Sequence, residues 1–506
     1  MIIRDGSGEF MGATIDPDRS EWDVIVLGGA AAGENAAQYA SQFSGLSSVI
    51  VESHLLGGEC SYWACVPSKT LLRSVEAADA ANHTPGVSAR LDPGQVLTRR
   101  DEVIYNLDDT SQVQWALGAD IDLVRGYGRL SGERTVSVSR PDGSTRVLRA
   151  RHAVVIDTGS TAAVPDVPGL RAAMPWTSRD VTTMREVPRR VVILGGGAVA
   201  CEAATWLRGL GAAEVSIVHR GERLLSQYEP FAGTLVGQGL QDRGVHLFLE
   251  RTMADVRRPH VSQTGQGSIH GGEVRVTLDD GSVVTADEVV VAAGRVPNSG
   301  DIGLDSVGLT PGRYLDVDDH QNVRGVKGDW LYAIGDVCGR ALLTHMGKYQ
   351  ARIAGEVIAE RAIGSRRGVL PSATDGHVGS PQVIFTSPEV GTAGLTEQQA
   401  RESGRDVEVV EHDMAALVGT YLMRTDYRGW AKLVIDRQYD VVVGATFVGT
   451  GISDLVHSAT TAIVGQIPVS TLWHVVPSYP TPSEIWLRLL ETLRSQRRAA
   501  EEPNRL

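Results

Sequence analysis

The chain's first long apolar run is WDVIVLGG at 22–29, and it ends in glycines. AAAGENAAQYASQF (30–43) then reads as a helix and SSVIVES (47–53) as a second strand, a βαβ unit with a Gly-rich turn. The same arrangement returns in RRVVILGGGAVACEAATWLRGLGAAEVSIVHR at 189–220. PHVSQTGQGSIHGGE (259–273) reads as a polar surface insertion. From about 376 onward, strands such as GWAKLVID (429–436) and VVVGATFVG (441–449) alternate with helices and carry no glycine fingerprint. The expected class is α/β: two Gly-turn units, then a third domain of α+β character.

Composition narrows this picture. A length of 506 residues suits about three domains, and 42% apolar content is enough for sizeable cores. The net charge of −13 argues against a nucleic-acid partner. No run of 18 apolar residues occurs and no secretory leader precedes the first strand, so neither membrane insertion nor export is expected. Cys60, Cys65, Cys201 and Cys338 are too few for a disulfide scaffold. A cytoplasmic enzyme is the expectation. GSGEF ahead of Met11 reads as a tag remnant, so residues 1–10 are expected to lie outside the fold.

The first Gly-rich turn is Gly28-Gly29-Ala30-Ala31-Ala32-Gly33, with Ala30 in the middle position of G-x-G-x-x-G. A methyl there still permits close backbone approach. Glu52 ends the following strand, where a carboxylate accepts ribose hydroxyls. The second turn runs Gly195-Gly196-Gly197-Ala198-Val199-Ala200, and its second strand ends in His219 and Arg220 rather than an acid. An acid would repel a 2′-phosphate, whereas Arg220 can pair with it. The first unit is expected to take an adenosine with a free ribose, the second NADPH in preference to NADH. A Gly-rich turn alone is weak evidence and Arg220 could be a surface charge, but both turns follow a strand and open a helix.

GGECSYWACVPSK (57–69) holds Cys60 and Cys65. The thiols could pack, bind metal or exchange electrons. Structural zinc would want two more ligands at matching spacing, and none lies nearby in sequence. Packing is open to a free cysteine, while a close pair can cycle between dithiol and disulfide. No metal site is expected.

This stretch resembles the active-site segment of the pyridine nucleotide–disulfide oxidoreductases, the family of dihydrolipoamide dehydrogenase, glutathione reductase and mercuric reductase. VVIDTGS (154–160), EVVVAAGRVPN (288–298), LYAIGDV (331–337) and PQVIFTSPEVGTAGLTE (381–397) resemble its other signatures, in order. The resemblance implies a FAD-binding domain at 22–165 and 300–375, an NAD(P)-binding domain at 166–299 and a dimerisation domain at 376–495. Residues 1–21 and 496–506 would be tails. It implies a homodimer that passes hydride from NADPH through FAD to the Cys60–Cys65 disulfide and on to a small-molecule acceptor. Cys65 would be the thiol nearest the flavin and Cys60 the exchanging one. Lys69, paired with Glu202, would tune the flavin electrostatically, Asp336 would hold the ribitol, and the helix opening near His345 would face the flavin. Gly58, Thr158, Gly159, Gly294 and Arg295 fall in implied cofactor-binding motifs. Cys201 and Cys338 would be structural.

One motif departs from the family. Where its dehydrogenases and reductases carry His-Pro-Thr-x-x-Glu, with a proton-shuttling His from the partner subunit, this chain has Tyr479-Pro480-Thr481-Pro482-Ser483-Glu484. A phenol titrates near pH 10 and is mostly a donor, so Tyr479 does not replace imidazole as a base; it could equally be a packing aromatic. By resemblance, mercuric reductase and soluble transhydrogenase also carry Tyr near this position. The extra thiols expected for mercury handling are missing here, and the second active-site Cys that transhydrogenases typically lack is present. Three functions therefore compete: a disulfide reductase, a reductase of quinones, dyes or metal ions acting at the flavin, and a redox-sensing flavoprotein.

Overall fold

The computed structural model describes residues 19–364 and 380–501. The expected tag remnant, the opening of the third domain before residue 380 and the end of the C-terminal tail lie outside the described residues. The chain packs as two compact units: residues 19–66, 101–161 and 295–364 form one, and residues 67–100, 162–294 and 380–501 the other.

The first unit is built on the strand Glu21–Leu27, buried from its second residue onward. It pairs in parallel with Ser48–Glu52 on one side and Thr145–Ile156 on the other. Ile121–Arg125 extends the sheet beyond Ser48–Glu52, and an antiparallel pair, Thr135–Ser139 and Tyr127–Leu130, completes the far edge. Leu331–Ala333 returns late in the chain to pair in parallel with Thr145–Ile156. The helix Ala31–Ser41 packs its alanines against the sheet and against the helix Thr344–Ile363. That approach depends on small residues, since a Cβ at Gly355 would stand 2.6 Å from the Cβ of Tyr39.

The second unit repeats the βαβ plan. Its parallel sheet runs Val245–Leu249, Glu214–His219, Arg190–Leu194, Glu288–Val291, with the helix Ala198–Gly209 buried from Ala200 to Leu207. A separate five-stranded antiparallel sheet centres on Val441–Gly449 and Trp430–Asp436 and is backed by helices Leu455–Val464 and Ile485–Glu501. The expected α/β class, with two Gly-turn units and an α+β part, is the one the chain forms. Among the described residues no helix is long and apolar enough to cross a membrane.

The polar segment 259–273 differs from its expectation. Its first half is exposed, but 267–270 folds inward. Trp176 Nε1 donates to Ser268 O at 3.0 Å, Gln266 Nε2 to Thr183 Oγ1 at 2.9 Å, and His270 N to Glu288 Oε2 at 3.0 Å. The polarity of this loop is spent on internal hydrogen bonds as well as on solvent.

Candidate active site

Backbone glycine places the two thiols. Gly57 and Gly58 have φ of 109° and 62°, a region glycine enters without strain. Gly57 N donates to Gly29 O at 2.7 Å, and a Cβ at Gly58 would lie 2.6 Å from the Cβ of Ala30. The cysteine segment is thereby fastened to the first Gly-rich turn. Cys60 sits in the helix Gly58–Tyr62 and Cys65 opens Cys65–Asn82. Both are half-buried free thiols, hydrogen-bonded to each other. Cys65 Sγ is 3.3 Å from Thr344 Oγ1, at the start of the helix Thr344–Ile363 that also carries His345. The bond to Cys65, with burial and the Cys65 charge, pushes the Cys60 thiol up, while Thr344 and Lys348 pull it down.

The first turn is open to a dinucleotide. Ala30 caps the helix Ala31–Ser41 without a side-chain bond, which leaves N–H groups for a phosphate. Gly33 N donates to Asp157 Oδ2 at 2.6 Å, and burial holds the Asp157 carboxyl well above the usual range. A neutral acid there is compatible with a phosphate. Glu52 accepts from Gly29 N and from His54 N, both at 2.7 Å, and each oxygen keeps a lone pair for a ribose hydroxyl. Ser160 Oγ donates to Asp336 Oδ2 at 2.6 Å and accepts from Arg295 Nε at 2.6 Å. Thr158 Oγ1 is buried with no hydrogen-bond partner, and nothing stands within 4 Å of a Cβ at Gly159. These residues fit the adenosine, pyrophosphate and ribitol parts of FAD.

In the second unit Lys69 Nζ is 2.7 Å from Glu202 Oε2, and Glu202 Oε1 accepts from Phe385 N at 3.0 Å. The ammonium also stands 4.9 Å over the Phe385 ring. Gly195, at φ 131°, approaches Ala292 O so closely that a Cβ would be 2.2 Å away. Gly197 caps Ala198–Gly209 without a side-chain bond, and Ala200 is buried beneath the turn. His219 is folded against Gly196, where a Cβ would meet its ring at 2.5 Å, and burial pulls its imidazole below the usual range. Exposed Arg220 therefore carries the positive charge at this strand end. Gly294, at φ 129°, has open space above it.

Tyr479 and Glu484 are not joined by a hydrogen bond. Tyr479 is 69% exposed. Glu484 is buried, accepts from Arg488 Nη2 at 2.6 Å and leaves Oε2 unpartnered. Thr344, Asp157 and Lys348 touch or influence the site and were not singled out in the sequence. Asp157 lies inside the VVIDTGS motif, and an acid ending an apolar strand beside a Gly-rich turn is the signal that could have found it.

Two parallel βαβ units with Gly-rich turns, and a thiol pair fastened to the first, are the frame of a dinucleotide-binding oxidoreductase. The chain belongs to the pyridine nucleotide-disulphide oxidoreductase family, which it matches over residues 22–353, and it matches that family's dimerisation domain over 380–489. It is 30% identical to dihydrolipoyl dehydrogenase of Bacillus subtilis (strain 168), over 92% of this chain and 96% of that protein. It is 28% identical to mercuric reductase of Staphylococcus aureus, over 92% of this chain and 81% of that one. The Cu(II) complex of the HOCl-induced flavoprotein disulfide reductase RclA from Escherichia coli shares the fold at a TM-score of 0.77 and 23% identity, covering 93% of this chain and 99% of that one. The chain is an oxidoreductase of a family whose members are FAD-dependent and use pyridine nucleotides.

Proposed function

We propose that this protein is a cytoplasmic, homodimeric, NADPH-dependent disulfide reductase in which Cys60 exchanges with the acceptor and Cys65 closes the pair. The observation that carries this reading is the hydrogen-bonded Cys60–Cys65 thiol pair fastened to the first Gly-rich turn. FAD, held by the first turn, Glu52, Thr158, Gly159 and Asp336, would supply the relay of electrons from nicotinamide to sulfur. Arg220, at the end of Glu214–His219, would pair with the 2′-phosphate that distinguishes NADPH from NADH. The Lys69–Glu202 ion pair holds a positive charge in fixed orientation. Cys65, beside the Thr344 hydroxyl, is placed to be held as thiolate.

A second reading, reduction of quinones, dyes or metal ions without the thiols, is favoured by Tyr479, whose phenol is a poor base. The similarity to mercuric reductase fits it as well. Steady-state assays of wild type, Cys60→Ser and Arg220→Ala separate the readings. The expected result is loss of hydroxyethyl disulfide reduction in Cys60→Ser, with quinone reduction kept. Arg220→Ala should raise the KM for NADPH about tenfold more than that for NADH, the share of one charge-assisted hydrogen bond. Equal disulfide turnover in Cys60→Ser and wild type would remove the thiols from the reaction.

A further inference from the structure

The helix Thr344–Ile363 begins at the thiols, with Thr344 Oγ1 standing 3.3 Å from Cys65 Sγ. Residues four apart share a helix face, so Thr344, Lys348 and Arg352 form one stripe. Lys348 lies about 6 Å and Arg352 about 12 Å beyond Thr344 along the axis. Side chains on a helix lean toward its N-terminus, which turns both cations back toward Cys65 and its partner Cys60. The stripe is fixed in place, because the neighbouring face is buried at Met346, Gly347, Gln350, Ala351 and Ala354. At Gly347 a Cβ would stand 3.3 Å from the Cβ of Ala32, in the first Gly-rich turn.

Lys69 and Lys432 are tied to carboxylates. Lys348 and Arg352 are half-buried, and among the described residues neither forms an ion pair. The Arg352 guanidinium lies 5.6 Å from the centre of the Tyr349 ring. The carboxyl that feels Lys348 is Glu34, which is 8% exposed and pushed by burial up to about 7. It is only partly charged near neutrality and does not cancel the ammonium. Beyond the partner thiol, the charge that acts on Cys60 is that of Lys348. The chain as a whole carries −13, so two unpaired cations beside its thiol pair stand against the general field. A half-desolvated cation without a partner is costly, and an incoming carboxylate offsets that cost with a charge-assisted hydrogen bond.

We infer, with Cys60 as the exchanging thiol of the proposed reductase, that the disulfide this chain reduces is an anionic one, a carboxylate near the attacked sulfur being held by Lys348 and a more distant one by Arg352. The Cys60 thiolate attacks one acceptor sulfur and the acceptor S–S bond breaks. The Cys65 thiolate then attacks Cys60 Sγ, forms the protein disulfide and expels the half bound there. Two electrons pass from the dithiol to the acceptor. The two thiol protons go to solvent, and each leaving thiolate takes one back. Lys348 and Arg352 orient the acceptor and exchange no proton with it.

The test measures kcat/KM of the FAD-loaded protein for three disulfides of similar length: dithiodipropionate with two carboxylates, hydroxyethyl disulfide with no charge, and cystamine with two ammoniums. Reduced or oxidised nicotinamide dinucleotide chemistry is held constant by an excess of one reductant, NADPH. In Lys348→Met the ratio of dithiodipropionate to hydroxyethyl disulfide should fall about fivefold, the share of one partly exposed ion pair, and the ratio of cystamine to hydroxyethyl disulfide should rise. Lys348→Arg should keep the wild-type ratios, as should Lys327→Met at an exposed lysine elsewhere. A fall shared by all three disulfides belongs to the charge lost beside Cys60, so the ratios carry the test. In wild type, added KCl should lower the dithiodipropionate ratio, because salt screens the attraction; this arm needs no variant. Bound flavin, measured by absorbance, reports that each variant folds. If the ratios ignore both KCl and Lys348→Met while Cys60→Ser is inactive with all three disulfides, the acceptor is not chosen by its charge and the thiol reading stands. If Cys60→Ser reduces them as wild type does, the thiol reading fails and the role of Lys348 falls with it.

Discussion

Glu389 illustrates how a single buried carboxyl is expected to register in the stability of this protein. It is 8% exposed and accepts hydrogen bonds from Ile452 N at 3.0 Å and Ser453 N at 3.1 Å. Burial, reinforced by the Glu76 charge, pushes it up from 4.5 to about 7. A carboxyl that binds its proton more tightly when folded stabilises the fold fully below its unfolded value of 4.5, and that share is lost as pH climbs through 7. The shift corresponds to about 3 kcal/mol. Glu389→Gln keeps an acceptor for both amides and removes the titration. Thermal melts at pH 5 and pH 8 should therefore differ less in Glu389→Gln than in wild type; an identical difference would mean that Glu389 ionises in place without cost.

At the scale of elements, the segment 259–273 is held by one fully buried ion pair. Arg258 and Glu288 are both 0% exposed at their side chains, and Glu288 also accepts from the amides of His270 and Val289 at 3.0 Å. Removing one partner strands the other's charge, which costs about 3–5 kcal/mol in such settings. Arg258→Met should lower the thermal midpoint by several degrees and make 259–273 more sensitive to limited proteolysis, whereas Arg257→Met, at an exposed neighbour, should do neither. The contrast marks what the sequence could convey. Both glycine turns and the cysteine pair were legible because each is a local pattern: a strand, a turn and a helix in succession, or two thiols within one short stretch. The burial of Glu288 and Arg258 was not, because their partners lie 30 residues apart and polarity alone reads as exposure. Asp157 carried a local signal, an acid ending an apolar strand, but its bond to Gly33 spans 124 residues and that pairing does not show in sequence. Lys69 and Glu202 were found across 133 residues only because a family resemblance supplied the pairing.

For the whole molecule the open question is what covers the apolar surface of the C-terminal part. Val475 and Val476 are 60% and 86% exposed, beside Tyr479, and Tyr421 and Leu422 are 55% and 66% exposed on a second segment. The two segments pack tightly, since a Cβ at Gly419 would lie 2.5 Å from the backbone of Thr481. Large apolar side chains left in water on adjoining segments mark an interaction surface, and this one falls within the stretch that matches the dimerisation domain. A second copy of the chain is the expected cover. A charge placed there would be desolvated without a partner, so Val476→Glu should convert the dimer to monomer in sedimentation velocity while FAD remains bound. Disulfide turnover should fall with the dimer if the acceptor is held between subunits, and quinone turnover should persist. A variant that sediments as wild type does would place the contact elsewhere on the chain, and Val476 would then be an exposed side chain with no part in assembly.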